Sequence, residues 1–280
     1  MATSPFESSQ LEILEMNEAF EDINSSFGFA GTLVVYRMNG QLYHGMLKAR
    51  YYPSTIVNPV DLTNIIQIPS SAYSPLHATD LTRAHDPFLK DTYVKRARLS
   101  SYDRISKSPQ PNEIAESILA EAKVCELLMQ NSHPNIAIYH GCQVSGDRIT
   151  GLCFKKYSHT LMKEVNPGSL MKRQARSTRE TRKDYSGVLD GIESGIRHLH
   201  SLGLVHNDIN PSNIMFDGDE LVIIDFGSCR PIGDSIEGSG GTYEWCDQKV
   251  QLSLPGNDLN ALEEIRIWLG DDSRDFQFEV

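Results

Sequence analysis

The sequence is short of positive charge, of closely spaced cysteines and of long apolar runs. Its 280 residues carry 26 Lys and Arg against 37 Asp and Glu, a formal charge of -11, which argues against general electrostatic attraction to nucleic acid. The five cysteines form no Cys-x-x-Cys pair, so we expect reduced thiols. No apolar run approaches the roughly 18 residues of a membrane span, and Met1–Glu15 has no signal-peptide pattern. We therefore expect a globular cytoplasmic protein without nucleic-acid or membrane partners.

The amino-terminal third is rich in β-prone runs. Met1–Ser26 is polar and acidic and is interpreted as a tail or a short helix. Asn39-Gly40 separates two β-prone runs, which indicates a hairpin. Five prolines between Tyr51 and Leu89 predict a mostly irregular segment. The predicted strands of this third are Thr32–Tyr36, Gln41–Leu47 and Ile65–Ile68.

Further along, strand-like runs give way to helical periodicity. Strands are predicted at Thr92–Leu99, Ile136–Cys142 and Arg148–Phe154, and Asn112 is predicted to cap a helix that reaches about Gln130. Apolar residues line one face of Tyr185–Leu202, which predicts a buried helix. Two short strands follow, at Ile214–Phe216 and Leu221–Ile224. This order predicts an α+β protein with a β-rich first part and a helical second part.

Two motifs carry the chemistry: residues 206–213 read His-Asn-Asp-Ile-Asn-Pro-Ser-Asn, and residues 225–227 read Asp-Phe-Gly after a predicted hairpin. Phosphoryl transfer needs a carboxylate near the attacking hydroxyl, a carboxamide oxygen at a magnesium ion, and a second carboxylate that links metal and phosphates. Asp208, Asn213 and Asp225 are the candidates for these roles, in that order.

These motifs resemble the H-R-D-L-x-x-x-N and D-F-G motifs of protein kinases, and the resemblance extends from Val94 to Leu269. It implies a two-lobed kinase-like fold with a β-rich amino-terminal lobe and a shortened helical carboxy-terminal lobe, similar to fungal-type or degenerate Ser/Thr kinases. By the same resemblance, Lys95 holds the α- and β-phosphates of ATP, and Asn213 and Asp225 hold Mg²⁺. Pro211 and Thr242 favour Ser/Thr over Tyr as the acceptor.

The resemblance also suggests a partner for Lys95 and a nucleotide-binding hinge. Glu121 and Glu126 flank the apolar stripe of the predicted helix on opposite sides, so the helical wheel does not choose between them. The spacing found in the family favours Glu121. Backbone groups near Lys155, Lys156 and Tyr157 would meet adenine.

Four departures from the family pattern bear on activity. No G-x-G-x-x-G precedes Lys95, Asn207 replaces the loop arginine, and no A-P-E follows Asp225. Asn210 replaces a loop lysine that lies near the γ-phosphate in similar Ser/Thr kinases. We count Asn210 as part of the catalytic loop, although it supplies no positive charge to the transition state.

The last part of the sequence contains a candidate for a buried structural carboxylate. Residues 257–269 resemble the buried central helix of the kinase carboxy-terminal lobe, in which Asp258 would be an anchoring carboxylate. An N-capping role for Asp258 is the alternative. The resulting division is an acidic tail at 1–26, a β-rich extension with the start of the amino-terminal lobe at 27–90, the amino-terminal lobe at 91–157, a truncated carboxy-terminal lobe at 158–270 and an acidic tail at 271–280.

A cluster of six basic residues precedes the predicted buried helix. It is interpreted as a solvated helix face or linker, and the alternatives are a docking site for acidic substrate and a nuclear-import signal. The nuclear compartment is therefore a second possibility for localisation. The cluster consists of Lys172, Arg173, Arg176, Arg179, Arg182 and Lys183.

The sequence therefore predicts an ATP- and Mg²⁺-dependent kinase that phosphorylates a Ser or Thr hydroxyl of an unidentified protein. One alternative is a pseudokinase that acts as a binding or scaffold module. Another is a small-molecule kinase of the aminoglycoside or choline type. The identity of the substrate and the oligomeric state stay open.

Overall fold

The structure is a computed structural model that describes residues 11–23, 26–52, 57–85, 90–178, 184–236, 241–270 and 274–278. The chain divides into two compact units. The first comprises residues 1–77, 96–119 and 144–151, and the second comprises residues 78–95, 120–143 and 152–280. Within the described ranges, no helix has the length and apolar character that a membrane span requires.

The first unit contains a four-stranded antiparallel sheet of order β1-β2-β3-β4. The predicted hairpin is confirmed: Met38 pairs with Gln41, and both Asn39 (φ 52°) and Gly40 (φ 75°) adopt the left-handed conformation. Residues that tolerate positive φ are what a two-residue turn between strands requires. The strands are Glu12–Ile23 (β1), Ser26–Met38 (β2), Gln41–Leu47 (β3) and Leu62–Ile68 (β4).

The interpretation of Met1–Ser26 as a tail or short helix is wrong for the residues that β1 contains. Strand pairing with β2 outweighs the weak helical pattern, and ion pairs join the acidic side chains to neighbouring arginines. Glu12 pairs with Arg37, and Glu18 pairs with Arg50 at 3.0 Å. The first ten residues lie outside the described part of the chain.

The predicted strand Thr92–Leu99 is also corrected, because β5 comprises only Thr92–Lys95. Beyond it, the amides of Leu99 and Ser100 donate to the carboxylate of Glu15 on β1, at 2.8–3.1 Å. Leu99 then packs into the core of the first unit with Val35 and Ile68. The amides of Leu99 and Ser100 are therefore bonded to a side chain instead of to a neighbouring strand, and the Leu99 side chain is buried in the core.

Strands β5, β6 (Tyr139–Ser145) and β7 (Arg148–Lys155) form a three-stranded sheet of order β5-β7-β6. The strand predicted from Ile136 begins three residues later than expected. Ile136 instead forms a parallel bridge with Ile223, whose amide donates to the carbonyl of Asn135 at 2.8 Å. The predicted helix is confirmed as Glu113–Gln130 (α2), after a short helix at Tyr102–Ile105 (α1).

The second unit is mainly helical after β7, as predicted. Its buried helix Ser186–Ser201 (α5) places Leu189, Ile192, Ile196 and Leu199 in the core. The other elements are the helices Leu161–Val165 (α3), Lys172–Ser177 (α4) and Pro255–Leu269 (α6), and the strands Leu204–Val205 (β8), Ile214–Asp217 (β9), Glu220–Ile223 (β10) and Arg230–Pro231 (β11). All five cysteines are free thiols, and four of them are buried.

The expected acidic tail at 271–280 is corrected for residues 274–278. Phe276 is buried, and the amides of Gln277 and Phe278 donate to the carboxylate of Glu264 on α6. An apolar ring and two satisfied amides hold this segment against the helix, despite the acidic residues around it. Residues 271–273 and 279–280 lie outside the described part of the chain.

We expect Gly40→Ala and Gly187→Ala to change the free energy of unfolding in opposite directions. A Cβ at either position meets nothing within 4 Å, so sterics do not separate them. Gly40 is left-handed, and alanine there should cost roughly 1 kcal/mol. Gly187 lies in α5, where alanine should add up to about 1 kcal/mol. Urea unfolding of both variants is the measurement. A Gly40→Ala protein as stable as the wild type would contradict the turn assignment, and a loss of stability in Gly187→Ala would contradict the expectation for the helix.

Candidate active site

The side chain of Lys95, at the end of β5, joins two carboxylates that lie far apart in sequence. Its Nζ donates to Glu121 Oε1 and Oε2 at 2.7 and 2.8 Å and to Asp225 Oδ1 at 2.8 Å. The structure therefore pairs Lys95 with Glu121 rather than Glu126. Glu126 accepts hydrogen bonds from the amide and hydroxyl of Thr82. The helical wheel could not have made this choice, because both glutamates border the same apolar stripe.

The electrostatics of this cluster favour the charged forms of Lys95 and Asp225 but not that of Glu121. Burial alone would lower the pKa of Lys95, but the charges of Glu121 and Asp225 outweigh burial and raise it. Burial likewise would raise the pKa of Asp225, but the Lys95 ammonium holds it below its ordinary value. For Glu121, burial raises the pKa and Lys95 offsets only part of the rise. The charged forms of Lys95 and Asp225 are therefore favoured, whereas burial still disfavours the charged form of Glu121.

Asp225 is held in position by its own backbone and by its neighbours. Its φ of 64° places it in the left-handed region, which is uncommon for a non-glycine residue. The next amide, that of Phe226, donates to Glu121 Oε1 at 3.2 Å, and the amide of Gly227 reaches Asp225 Oδ1 at 3.4 Å. The buried ring of Phe226 packs edge-on against His206 at 5.8 Å. Glu121 therefore positions both Lys95 and the Asp-Phe-Gly segment.

Asp258 anchors the loop that carries Asp208. Its fully buried carboxylate accepts hydrogen bonds from the amides of His206 and Asn207 at 2.9 and 2.8 Å, and His200 contacts it at 2.9 Å. The N-cap of α6 is Leu254, so the alternative role of Asp258 as a helix cap is wrong. The structure supports the anchoring role.

His206 and Asn213 connect this loop to the segment that precedes Asp225. His206 Nε2 lies 3.0 Å from the carbonyl of Ile224, and the Ile224 amide donates to the carbonyl of Asn213 at 3.0 Å. Asn207, in the position of the family's arginine, adopts φ 63° and donates to Ser253 Oγ at 2.9 Å. It therefore has a structural role inside the loop.

The carboxylate of Asp208 is surrounded by donors. Oδ2 accepts from Asn213 Nδ2 at 2.8 Å, and Oδ1 accepts from Asn210 Nδ2 at 3.0 Å. The amide and the hydroxyl of Thr242 both donate to Oδ1 at 2.8 Å. Sequence reasoning used Thr242 only to suggest the type of acceptor and missed this contact. The structure shows why glycine precedes Thr242, because a Cβ on Gly241 would lie 2.9 Å from Asn207 O.

The side chains proposed as magnesium ligands supply oxygen atoms, which a hard cation requires. Asn213 Nδ2 donates to Asp208, so its Oδ1 faces away from that bond, and Asp225 uses Oδ1 for Lys95. Within the described ranges, no group of three or more His, Cys, Asp or Glu side chains could hold a metal ion. One carboxylate and one carboxamide are enough for Mg²⁺ whose remaining ligands are phosphates and water. The assignment of Asn213 and Asp225 as magnesium ligands stays a prediction.

The predicted hinge uses part of its backbone internally. The Lys155 amide donates to Ile138 O and the Lys156 amide donates to Asp91 O, at 2.9 and 2.7 Å. The Tyr157 hydroxyl accepts from the Ile138 amide, and Lys155 Nζ pairs with Asp217. Neither lysine amide is therefore available to adenine. The hinge assignment stays a prediction, and it now depends on other backbone groups of the segment.

In the described part of the segment before β5, Thr82–Ala84 pairs with β6. In the sheet of order β5-β7-β6, Thr82–Ala84 lies against β6, at the edge opposite β5. The Cys142 amide donates to Thr82 O at 2.7 Å, and the Ala84 amide donates to Cys142 O at 2.9 Å. Gly141 permits this approach, because a Cβ there would lie 2.8 Å from Ala84 N.

The interpretation of the basic cluster as a solvated face is wrong for Lys172. This residue is buried and forms an ion pair with the buried Glu264. Arg176 lies over the ring of Phe276 at 4.4 Å. Arg179, Arg182 and Lys183 lie outside the described residues.

We expect Lys95→Met to destabilise the protein by about 2 kcal/mol at pH 7, somewhat less than for a fully buried pair because Lys95 is 28% exposed. Without the cation, the pKa of Glu121, which burial already raises, rises further, and burial raises the pKa of Asp225 without the opposing effect of Lys95. The deficit should therefore be largest at neutral pH and should shrink toward about pH 4 as both groups take up protons.

Urea unfolding at both pH values measures this deficit. Lys123→Met is the control and should have little effect, because Lys123 is an exposed residue of α2, the helix that carries Glu121. A deficit that is independent of pH would contradict the electrostatic account.

Comparison with known proteins agrees with this geometry. Residues 93–249 match the sequence model of the protein kinase domain. The serine/threonine-protein kinase/endoribonuclease IRE1 of Hypocrea jecorina is 29% identical over 189 residues, 62% of this chain and 13% of the relative. The serine/threonine-protein kinase ELM1 of Saccharomyces cerevisiae is 36% identical over 91 residues, 32% of this chain and 14% of the relative.

A putative serine/threonine-protein kinase, L670, of Acanthamoeba polyphaga mimivirus is 24% identical over 176 residues, 62% of this chain and 31% of the relative. The chain thus matches less than a third of the length of each of these relatives. The domain match covers more than half of the chain and contains Lys95, Glu121, Asp208, Asn213 and Asp225. The α+β kinase-like fold implied by the sequence motifs is confirmed, and the chain belongs to the protein kinase family.

Proposed function

We propose that this protein transfers the γ-phosphoryl group of ATP, with Mg²⁺, to a Ser or Thr hydroxyl of a protein substrate. The observation that carries the proposal is the contact of Lys95 Nζ with both Glu121 and Asp225 at 2.7–2.8 Å. Protein kinases need the lysine–glutamate pair and the metal-binding aspartate in place at the same time. The similarity to serine/threonine kinases supports the choice of acceptor.

Asp208 is the proposed acceptor of the substrate proton. As the substrate oxygen bonds to the γ-phosphorus, the bond from that phosphorus to the β–γ bridging oxygen breaks, and ADP leaves with the electron pair. The hydroxyl proton passes to Asp208, which Asn213, Asn210 and Thr242 orient through its two oxygens. Such positioned proton transfer and alignment are the protein's main contributions to this chemistry.

Asn213 and Asp225 are the proposed side chains that hold Mg²⁺, and the bound metal would neutralise charge on the β- and γ-phosphates. The Ile224 amide bonds to Asn213 O, so the two ligands are linked through adjacent backbone. Lys95 would meet the α- and β-phosphates, while Glu121 keeps it oriented. Asn210 occupies the position of a loop lysine but is neutral, which predicts slower transfer than in kinases that keep the charge.

A pseudokinase is the second candidate, and one observation favours it. Among the described residues that precede β5, Thr82–Ala84 pair with β6 at the edge of the sheet opposite β5, away from the strand that carries Lys95. Backbone groups that approach phosphates closely contribute to both binding and alignment in the family. A chain without them could keep a nucleotide site and lose turnover.

We expect Asp208→Asn to lower phosphoryl transfer by at least about 100-fold, because the amide cannot accept the substrate proton. The assay follows label from γ-labelled ATP into generic Ser/Thr and Tyr substrates with Mg²⁺ or Mn²⁺. Asp219→Asn, in the exposed turn between β9 and β10, is the matched control and should leave the rate unchanged. Folded wild-type protein that binds ATP but transfers no label would establish the pseudokinase instead.

We expect Asp225→Asn to abolish the Mg²⁺-dependent part of ATP binding, since it removes the carboxylate proposed to hold the metal. Calorimetric titration of ATP with and without Mg²⁺ measures this part separately from the metal-independent part. Asp219→Asn again serves as the control. If Mg²⁺ changed ATP binding equally in the wild type and in Asp225→Asn, the assignment of Asp225 as a metal ligand would be disproved. Detection of phosphoryl transfer would not alter that conclusion.

A further inference from the structure

Lys172, the first residue of α4, carries a buried ammonium that collects three acceptors from three parts of the second unit. Nζ donates to Glu264 Oε1 on α6 at 2.5 Å, to the Glu244 carbonyl at 2.6 Å and to the Phe278 carbonyl at 2.9 Å. An ammonium has three N–H donors, so these bonds use all of them. The ring of Phe276 lies 4.3 Å from Nζ.

Glu264 completes the network from the opposite side. Its carboxylate is fully buried and also accepts from the amides of Gln277 and Phe278 at 2.8 and 3.3 Å. Burying two charges is costly, so a pair of this kind adds little stability by itself. The pair instead fixes the positions of the segments around it. Both charges have their full set of hydrogen bonds only when α4, α6, residues 276–278 and Glu244 are all in place.

The backbone of Glu244 is the unusual feature that this arrangement maintains. Glu244 has φ 68°, in the left-handed region that side chains with a Cβ disfavour. Lys172 holds the residue at two points. Its Nζ binds the Glu244 carbonyl, and its backbone amide donates to both Glu244 carboxylate oxygens at 3.3 Å.

The conformation of Glu244 sets the turn that brings Thr242 to Asp208. The Trp245 amide closes this turn on the Thr242 carbonyl at 3.0 Å, and the buried Trp245 ring packs edge-on against Trp268 of α6 at 5.2 Å. At the other end of the turn, the amide and the hydroxyl of Thr242 donate to Asp208 Oδ1, both at 2.8 Å.

We propose that Lys172 is a positioning residue for Asp208: it holds Glu244 in the left-handed conformation, and that conformation directs both donors of Thr242 onto the carboxylate. The link from Lys172 to Thr242 is a structural claim. Its consequence for the rate rests on the proposed kinase function. Losing this link removes two of the three donors described for Asp208 Oδ1, holds the carboxylate less firmly and lowers kcat. The Lys95, Asn213 and Asp225 groups that would bind Mg²⁺ and ATP are untouched.

Glycine at position 244 gives a direct test, because glycine adopts positive φ without cost and alanine does not. Lys172→Met is made together with Glu264→Gln, so that no buried carboxylate is left without a cation. Two further proteins add Glu244→Gly or Glu244→Ala to this pair. Both lose the Glu244 carboxylate, so a difference between them reports the backbone conformation alone. Wild type is the reference, because Glu264→Gln alone would leave the Lys172 ammonium buried without a carboxylate.

The primary measurement is hydrogen exchange of the Thr242 amide, which does not depend on catalysis. Exchange should be about tenfold faster in the Lys172→Met pair than in the reference, should return toward the reference with Glu244→Gly, and should stay fast with Glu244→Ala. The Ile223 amide, which bonds to Asn135 O, should keep its protection throughout. Where transfer is measurable, kcat should follow the Thr242 amide with an unchanged KM for ATP.

Three results would overturn the proposal: unchanged Thr242 exchange in the Lys172→Met pair, equal behaviour of the glycine and alanine variants, or loss of protection at Ile223 together with Thr242. The last would show that Lys172 merely supports the fold. Absence of transfer in every protein, with the exchange pattern intact, would reject the proposed kinase function and leave the link between Lys172 and Thr242 standing.

Discussion

The candidate site depends on one ammonium group shared by two carboxylates. Lys95 lies on β5, Glu121 on α2 and Asp225 after β10, and both carboxylates lie within 2.8 Å of Lys95 Nζ. Burial disfavours the charged form of each carboxylate, and the Lys95 cation outweighs this effect for Asp225 and offsets part of it for Glu121. The Phe226 amide adds a bond to Glu121. A single electrostatic constraint thus fixes the strand, the helix and the Asp-Phe-Gly segment relative to one another.

The sequence predicted the parts of this site that local patterns encode. The Asn39-Gly40 hairpin, α2, α5 and the short β9–β10 hairpin follow from turn chemistry and apolar periodicity, and the motifs around Asp208 and Asp225 indicated phosphoryl transfer. The choice of Glu121 over Glu126 came from family resemblance, because both residues flank the apolar stripe. Asp258 was left with two possible roles until its contacts to two loop amides were known.

What the sequence did not predict depends on pairing between distant segments. β1 looked weakly helical, yet pairing with β2 made it a strand. Arg96–Leu99 looked like a continuation of β5, but Glu15 captures the amides of Leu99 and Ser100. Lys172 looked like one member of a solvated basic run and proved to be buried opposite Glu264. In each case a contact with a residue distant in sequence outweighed the structure that the local sequence favours. The pattern within the segment does not predict such a contact.

The central claim is that Lys95, Asn213 and Asp225 form a magnesium–nucleotide site beside Asp208, and a crystal structure with Mg²⁺ and a non-hydrolysable ATP analogue tests it most directly. The account predicts a metal bonded to Asn213 Oδ1 and an Asp225 carboxylate oxygen, with Lys95 Nζ within hydrogen-bond distance of an α- or β-phosphate oxygen. A nucleotide bound without metal, or bound away from these three residues, would contradict it.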